Sequence, residues 1–132
     1  MSETEVSKAI QDYLTLNGWY VLRIQSGSVL VKKGGYCNLM KLAPKGTPDI
    51  MALKEGKCCF FEVKKDQKTK EQWERKIENF KKTARMFPSY HKEIAQFKTL
   101  ERIKQAGGYS FLVCSVKDAE NAIKSIFNDN AD

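Results

Sequence analysis

Apolar residues near the N-terminus recur at helical spacing. Val6, Ala9, Ile10, Tyr13 and Leu14 share one face of a helix. Ser-Glu-Thr-Glu before them reads as a capping box, with Ser2 as N-cap and Glu5 at the third helical position, and Asn17-Gly18 supplies the stop. The period then changes. Residues 19–25 are rich in β-formers, and residues 28–33 and 36–42 flank Gly34-Gly35 as a hairpin. Residues 49–53 and 58–64 form a second hairpin around Lys-Glu-Gly-Lys. A helical seam returns between about residues 70 and 87, where Trp73, Ile77, Phe80, Ala84 and Phe87 step by 4-3-4-3 before Pro88 breaks the helix. The seam is either core or a coiled-coil-like contact surface. A further helix is predicted over about 90–106, closed by Gly107-Gly108, then a strand over 109–115. Ser115 caps a last helix through Ala119, Ile123 and Ile126, and 128–132 frays. The order α-β-β-β-β-β-α-α-β-α predicts one α/β domain over 1–132, with no internal repeat, low-complexity tract or linker.

A chain of 132 residues, 42% hydrophobic and 30% charged, has room for one domain with a real core. No apolar run approaches the ~20 residues that span a bilayer. The N-terminal MSETEVSK is acidic and polar, unlike a signal peptide. Cys37, Cys58, Cys59 and Cys114 show no C-x-x-C pair and no zinc spacing with the lone His91. They read as reduced thiols in strands, and the expected location is intracellular, cytoplasmic, without membrane attachment.

Charge changes the picture. The formal net charge is +7, and residues 64–92 hold ten Lys or Arg against four Asp or Glu, a net +6. This segment is either a solvated basic helix or a polyanion-binding surface beside a site. The candidate site lies just before it. If the second hairpin closes about Glu55-Gly56, Leu53 faces Cys58 and Asp49 faces Glu62. Directly opposed side chains share one side of the sheet, Cβ atoms ~4.5–5.5 Å apart, and Lys64 falls on that side too. Cys59, Phe61 and Val63 point the other way, toward the core. Two opposed carboxylates repel, and a divalent cation between them reverses the sign; oxygen ligands suit Mg2+ or Mn2+. The plainer alternative is a surface ion pair between Glu62 and Lys64, with Asp49 a turn residue after Pro48.

Gly-Thr-Pro-Asp at 46–49 and Glu-Val-Lys at 62–64 resemble the PD-(D/E)XK nuclease signature. With R-I-Q-S-G at 23–27, A-P-K-G-T-P-D at 43–49, F-E-V-K-K at 61–65 and Q-F-K-T-L-E-R-I-K-Q-A-G-G-Y at 96–109, the chain resembles the VRR-NUC (virus-type replication-repair nuclease) branch over nearly its whole length. The resemblance implies a restriction-endonuclease-like mixed sheet flanked by helices and metal-dependent phosphodiester cleavage. It further implies, for standalone members, homodimers acting on branched DNA such as Holliday junctions. An acidic residue on the first helix and a Gln on the helix after the E-x-K strand also follow. Glu3, on the stripe of Ile10 and Leu14, matches the first, with Glu5 as rival; Gln96 matches the second. One departure is the segment at about 66–91, a basic helical insertion between E-x-K and Gln96.

The implied chemistry has Asp49, Glu62, Glu3 and the Val63 carbonyl binding Mg2+ or Mn2+, with Lys64 and Gln96 completing the catalytic set. Ser26, Lys32, Lys33, Lys41, Lys45, Lys65, Lys68 and Lys70 form the DNA-contacting set. No zinc finger, helix-turn-helix or RNP motif is present, and no organic cofactor is implied. Structure-selective endonuclease action on DNA is therefore expected. Two alternatives stand beside it: a catalytically weak nucleic-acid-binding module, and a protein-interaction domain using the 73–87 helix.

Overall fold

Helix α1 (Glu3–Leu16) starts where the capping residue predicts. Ser2 has extended backbone and its Oγ accepts from the Glu5 N–H at 3.2 Å. Val6, Ile10 and Leu14 are buried, and Gly18 takes φ +85° to end the helix. In this computed structural model the described residues are 1–25, 28–85 and 87–128, with Ser28, Val29, Lys33 and Lys41 described by backbone alone. Ser26 and the predicted frayed end at 129–132 lie outside the described residues.

Strands β1 (Tyr20–Arg23), β4 (Ile50–Lys54), β5 (Lys57–Val63) and β6 (Tyr109–Val113) form a mixed sheet in the order β1-β4-β5-β6; β2 (Ser28–Lys33) and β3 (Tyr36–Lys41) form a separate hairpin. Both hairpins are antiparallel, and β6 joins β5 in parallel after the helical crossover. Glu55 and Gly56 both take positive φ, as a two-residue hairpin turn requires, and this sets the register Leu53↔Cys58 and Ile50↔Phe61. The paired register ends at Ile50↔Phe61; continued by one rung it sets Asp49 against Glu62, and the Asp49 carboxylate does accept from the Val63 N–H.

The sheet is covered on one face along its width and on the other over β5 and β6. Ile50, Ala52, Cys59, Phe61, Val63 and Val113 pack with α1 and with α4 (Val116–Asn128), which buries Ala119, Ala122 and Ile126. The other face of β5 and β6 takes α2 (Gln67–Thr83) and α3 (His91–Gln105) through Trp73, Ile77, Ile94, Leu100 and Leu112. The predicted element order and α/β class match this architecture.

The bounds of α2 need correction. It begins three residues earlier than predicted because Asp66 is its N-cap, accepting from the Thr69 N–H at 2.8 Å. It ends earlier because Ala84 adopts the left-handed conformation, φ 54°, before the short turn at Pro88–Tyr90. The 73–87 seam is therefore not a free surface. Trp73 and Ile77 are buried against α3, Phe80 is partly buried, and Ala84 and Phe87 fall outside the helix. The four cysteines are free. Among the described residues, no helix is long and apolar enough to cross a membrane.

Candidate active site

Four polar groups converge at the ends of β4 and β5. Asp49 closes the loop before β4, and Pro48 ahead of it is fully buried. Its Oδ2 accepts from the Val63 N–H at 2.9 Å, which holds its carboxylate against the end of β5. Glu62 is 3% exposed and Lys64 6% exposed, so neither belongs to a surface ion pair. Lys64 Nζ lies 3.7 Å from Glu62 Oε1.

Gln96, on α3, is the centre of this group. Its Nε2 donates to Glu62 Oε1 at 2.8 Å, while its Oε1 accepts from Lys64 Nζ at 3.1 Å and from the Trp73 indole at 2.8 Å. The Cβ-less Gly46 brings the Asp49 loop onto α3. A Cβ there would meet the Ala95 carbonyl at 2.8 Å and the Gln96 nitrogen at 3.1 Å, and its φ of +90° suits glycine.

Within this group one carboxylate oxygen is left over: Glu62 Oε2 is buried without a hydrogen-bond partner. Among the described residues Glu93 Oε2, on the same helix as Gln96, is also buried without a partner. Burial first, then the facing Asp49 charge, raises Glu62 to about 8, opposed by Lys64; Glu3 adds to the rise and Lys92 reduces it. A divalent cation between Glu62 and Asp49 would satisfy the orphan oxygen and remove the repulsion, so the donor set fits one. Among the described residues no cluster of three or more His, Cys, Asp or Glu side chains could cage a metal. A site with two carboxylates suits an ion that keeps several waters, as Mg2+ does.

Glu3 does not join the carboxylates in that way. It is exposed in the first turn of α1, and it lines a cleft of about 670 Å3 with Ser7, Lys8, Arg23, Gln25 and Asp49. Its charge reaches Glu62, but through space. Of the predicted DNA contacts, Lys32, Lys45, Lys65 and Lys68 are exposed. Lys70 differs: its ammonium is bonded to Asp118 at 3.0 Å and only partly exposed, tying α2 to α4. Sequence reasoning missed Arg23 and Lys92. Lys92 lies one helical turn before Gln96, an i,i+4 relation that could have flagged it.

No family model matches the sequence, and no curated protein matches it. Among solved structures, one described as "VRR_NUC domain" superposes with a TM-score of 0.53 at 22% identity, covering 94% of this chain and 96% of that one. At this identity the likeness shows the fold. The chain has the fold of a VRR-NUC domain, a mixed sheet flanked by helices, over nearly its full length.

Proposed function

We propose that the chain is a VRR-NUC nuclease, a metal-dependent endonuclease hydrolysing DNA phosphodiester bonds. The observation that carries this is the pair of opposed carboxylates, Asp49 and Glu62, with Glu62 Oε2 buried and unpartnered beside a buried lysine. A buried orphan oxygen is costly, and one set between a second carboxylate and a lysine is where a cation can complete it. The fold likeness supports the same reading.

In this reading Asp49 and Glu62 hold Mg2+ or Mn2+, with the Val63 carbonyl as a further oxygen and Glu3 acting through water from the cleft. When bound, the ion would supply an activated water and charge neutralisation at the scissile phosphate. Lys64 stabilises the charge that develops there, and Gln96 keeps Glu62 and Lys64 in place. Lys32, Lys45, Lys65 and Lys68, with Arg23 in the cleft and Lys92 near Glu62, contact phosphates and position the backbone without reading bases. Ser26 and the side chains of Lys33 and Lys41 lie outside the described residues. Backbone contact without base readout favours branched or otherwise structured DNA as substrate. Cutting two strands of a symmetric junction takes two sites related by a two-fold axis, so the working form is a homodimer.

The test is direct. Wild-type chain and Glu62→Ala are incubated with supercoiled plasmid and with a four-way junction in Mg2+, Mn2+ or EDTA. Cleavage by the wild type alone, lost in EDTA, is expected. Binding without cleavage in any metal would instead make the chain a nucleic-acid-binding module.

A further inference from the structure

The Trp73 indole reaches Gln96 from a helix outside the two strands that carry the carboxylates. We infer that Trp73 is a positioning residue, which fixes the Gln96 amide so that its NH2 group faces Glu62. The kinetic part of this inference rests on the nuclease reading above.

The argument is one of donors and acceptors. The indole Nε1–H can only donate, and so can the Lys64 ammonium. Both point at Gln96 Oε1, at 2.8 and 3.1 Å. A flipped amide would set NH2 against two donors and its oxygen against the Glu62 carboxylate. With the observed orientation, Nε2 donates to Glu62 Oε1 and Oε2 is left as the oxygen without a partner.

Lys64 alone is a poor fixture for this purpose. It is 3.7 Å from Glu62 Oε1, and in the nuclease reading it must turn to the phosphate. The indole is neutral, rigid and 7% exposed, so its bond persists when Lys64 moves. Helix α2 is itself tied down at intervals. Lys70 bonds Asp118 at 3.0 Å, Lys76 bonds Glu93 at 3.2 Å, and Lys81 lies 5.0 Å from the centre of the Phe97 ring. Helix α2 thus has a task beyond its charge: it braces the site from outside the two strands that carry the carboxylates.

Trp73→Phe removes the N–H and keeps an aromatic ring. The expected result is a fall of about tenfold in kcat with KM unchanged, the scale of one buried hydrogen bond. Ile77→Val, one helical turn from Trp73 in the same buried cluster but with no hydrogen bond to lose, is expected to lower the melting temperature while keeping kcat, which separates positioning from packing. A second measurement needs no catalysis and no Trp73 variant that folds. The chain has two tryptophans, hence two indole N–H signals in a nitrogen-15 spectrum. Gln96→Met is expected to move the Trp73 signal and leave that of Trp19. A wild-type kcat in Trp73→Phe, or a Trp73 signal unmoved by Gln96→Met, overturns the inference. A wild type that cuts no DNA removes the nuclease reading instead, and the indole signal still decides whether Trp73 holds Gln96.

Discussion

Glu62 concentrates the chemistry of the site in one side chain. Asp49→Ala and Glu62→Ala are each expected to abolish metal-dependent cleavage, with the fold intact by circular dichroism; near wild-type cleavage by either would remove the site. The pH dependence has a definite sign. Glu62 is raised from 4.5 to about 8, so between those values the folded chain holds a proton that the unfolded chain has lost. Its contribution to stability is present below pH ~4.5 and lost as pH rises through about 8. Without metal the melting temperature should therefore decline across that window, and Glu62→Gln should flatten the decline. Metal competes with the same proton, so Mg2+ affinity measured by calorimetry should climb up to about tenfold per pH unit until Glu62 is ionised. Affinity independent of pH below 8 would show that Glu62 is not a ligand. At this scale the sequence was informative wherever the relation was local. The pairing of Asp49 with Glu62 follows from a two-residue turn and a period of two. The bond from Trp73 to Gln96 joins residues 23 apart on two helices, and no local pattern encodes it.

Elements show the same division. The start of α1 is legible because a cap lies next to the helix it caps, yet the reciprocal half of the capping box is not formed: the hydrogen bond found is from the Glu5 backbone to Ser2. Ser2→Ala should therefore cost about 0.5–2 kcal/mol, while Glu5→Ala loses only its charge near the helix N-terminus, about 0.3–1 kcal/mol. Neither should alter cleavage, whereas Glu3→Ala, which removes another first-turn charge at a similar cost of about 0.3–1 kcal/mol, should slow it several-fold. The reverse pattern would put Glu5 at the cleft. The start of α2 is set by Asp66, a cap seven residues ahead of the first apolar stripe position, Trp73, so the stripe marks the buried face and not the boundary. That stripe is periodic in either environment, since periodicity reports that a face is covered and not what covers it. Gly46 joins two elements: Gly46→Ala meets the Ala95 carbonyl and adopts a left-handed φ, so a loss of about 2–4 kcal/mol in stability is expected, with cleavage falling as the Asp49 loop is pushed from α3. A melting temperature unchanged by Gly46→Ala would show that the loop is loosely packed.

For the whole molecule, the burial of Trp73 and Ile77 moves the expected dimer surface. Ile77→Asp would put a charge into the contact between α2 and α3, so unfolding is its expected outcome, not a folded monomer. Among the described residues one apolar surface left open lies on β1, an edge strand, and on β4 beside it, and another on the β2–β3 hairpin. Tyr20 pairs with Leu53 and Leu22 with Met51, and period two sets these four on one face. Tyr20 is 63% exposed, Leu22 38% and Leu53 37%, because α2 and α3 cover only the β5–β6 half of that face. This is the same face as Glu62, so a second copy docked there would bring two sites near a common two-fold axis, as paired cuts in a junction need. Light scattering at micromolar concentration should give twice the 15.1 kDa chain mass. Tyr20→Asp changes an exposed position, so it should cost within about 0.5 kcal/mol of folding stability while yielding a monomer that nicks single strands and no longer cuts junctions in pairs. A single-chain mass for the wild type contradicts the dimer. A Tyr20→Asp variant that stays dimeric keeps the dimer but places its interface elsewhere, with Leu30 and Leu39 of the β2–β3 hairpin, 63% and 66% exposed, next to be substituted.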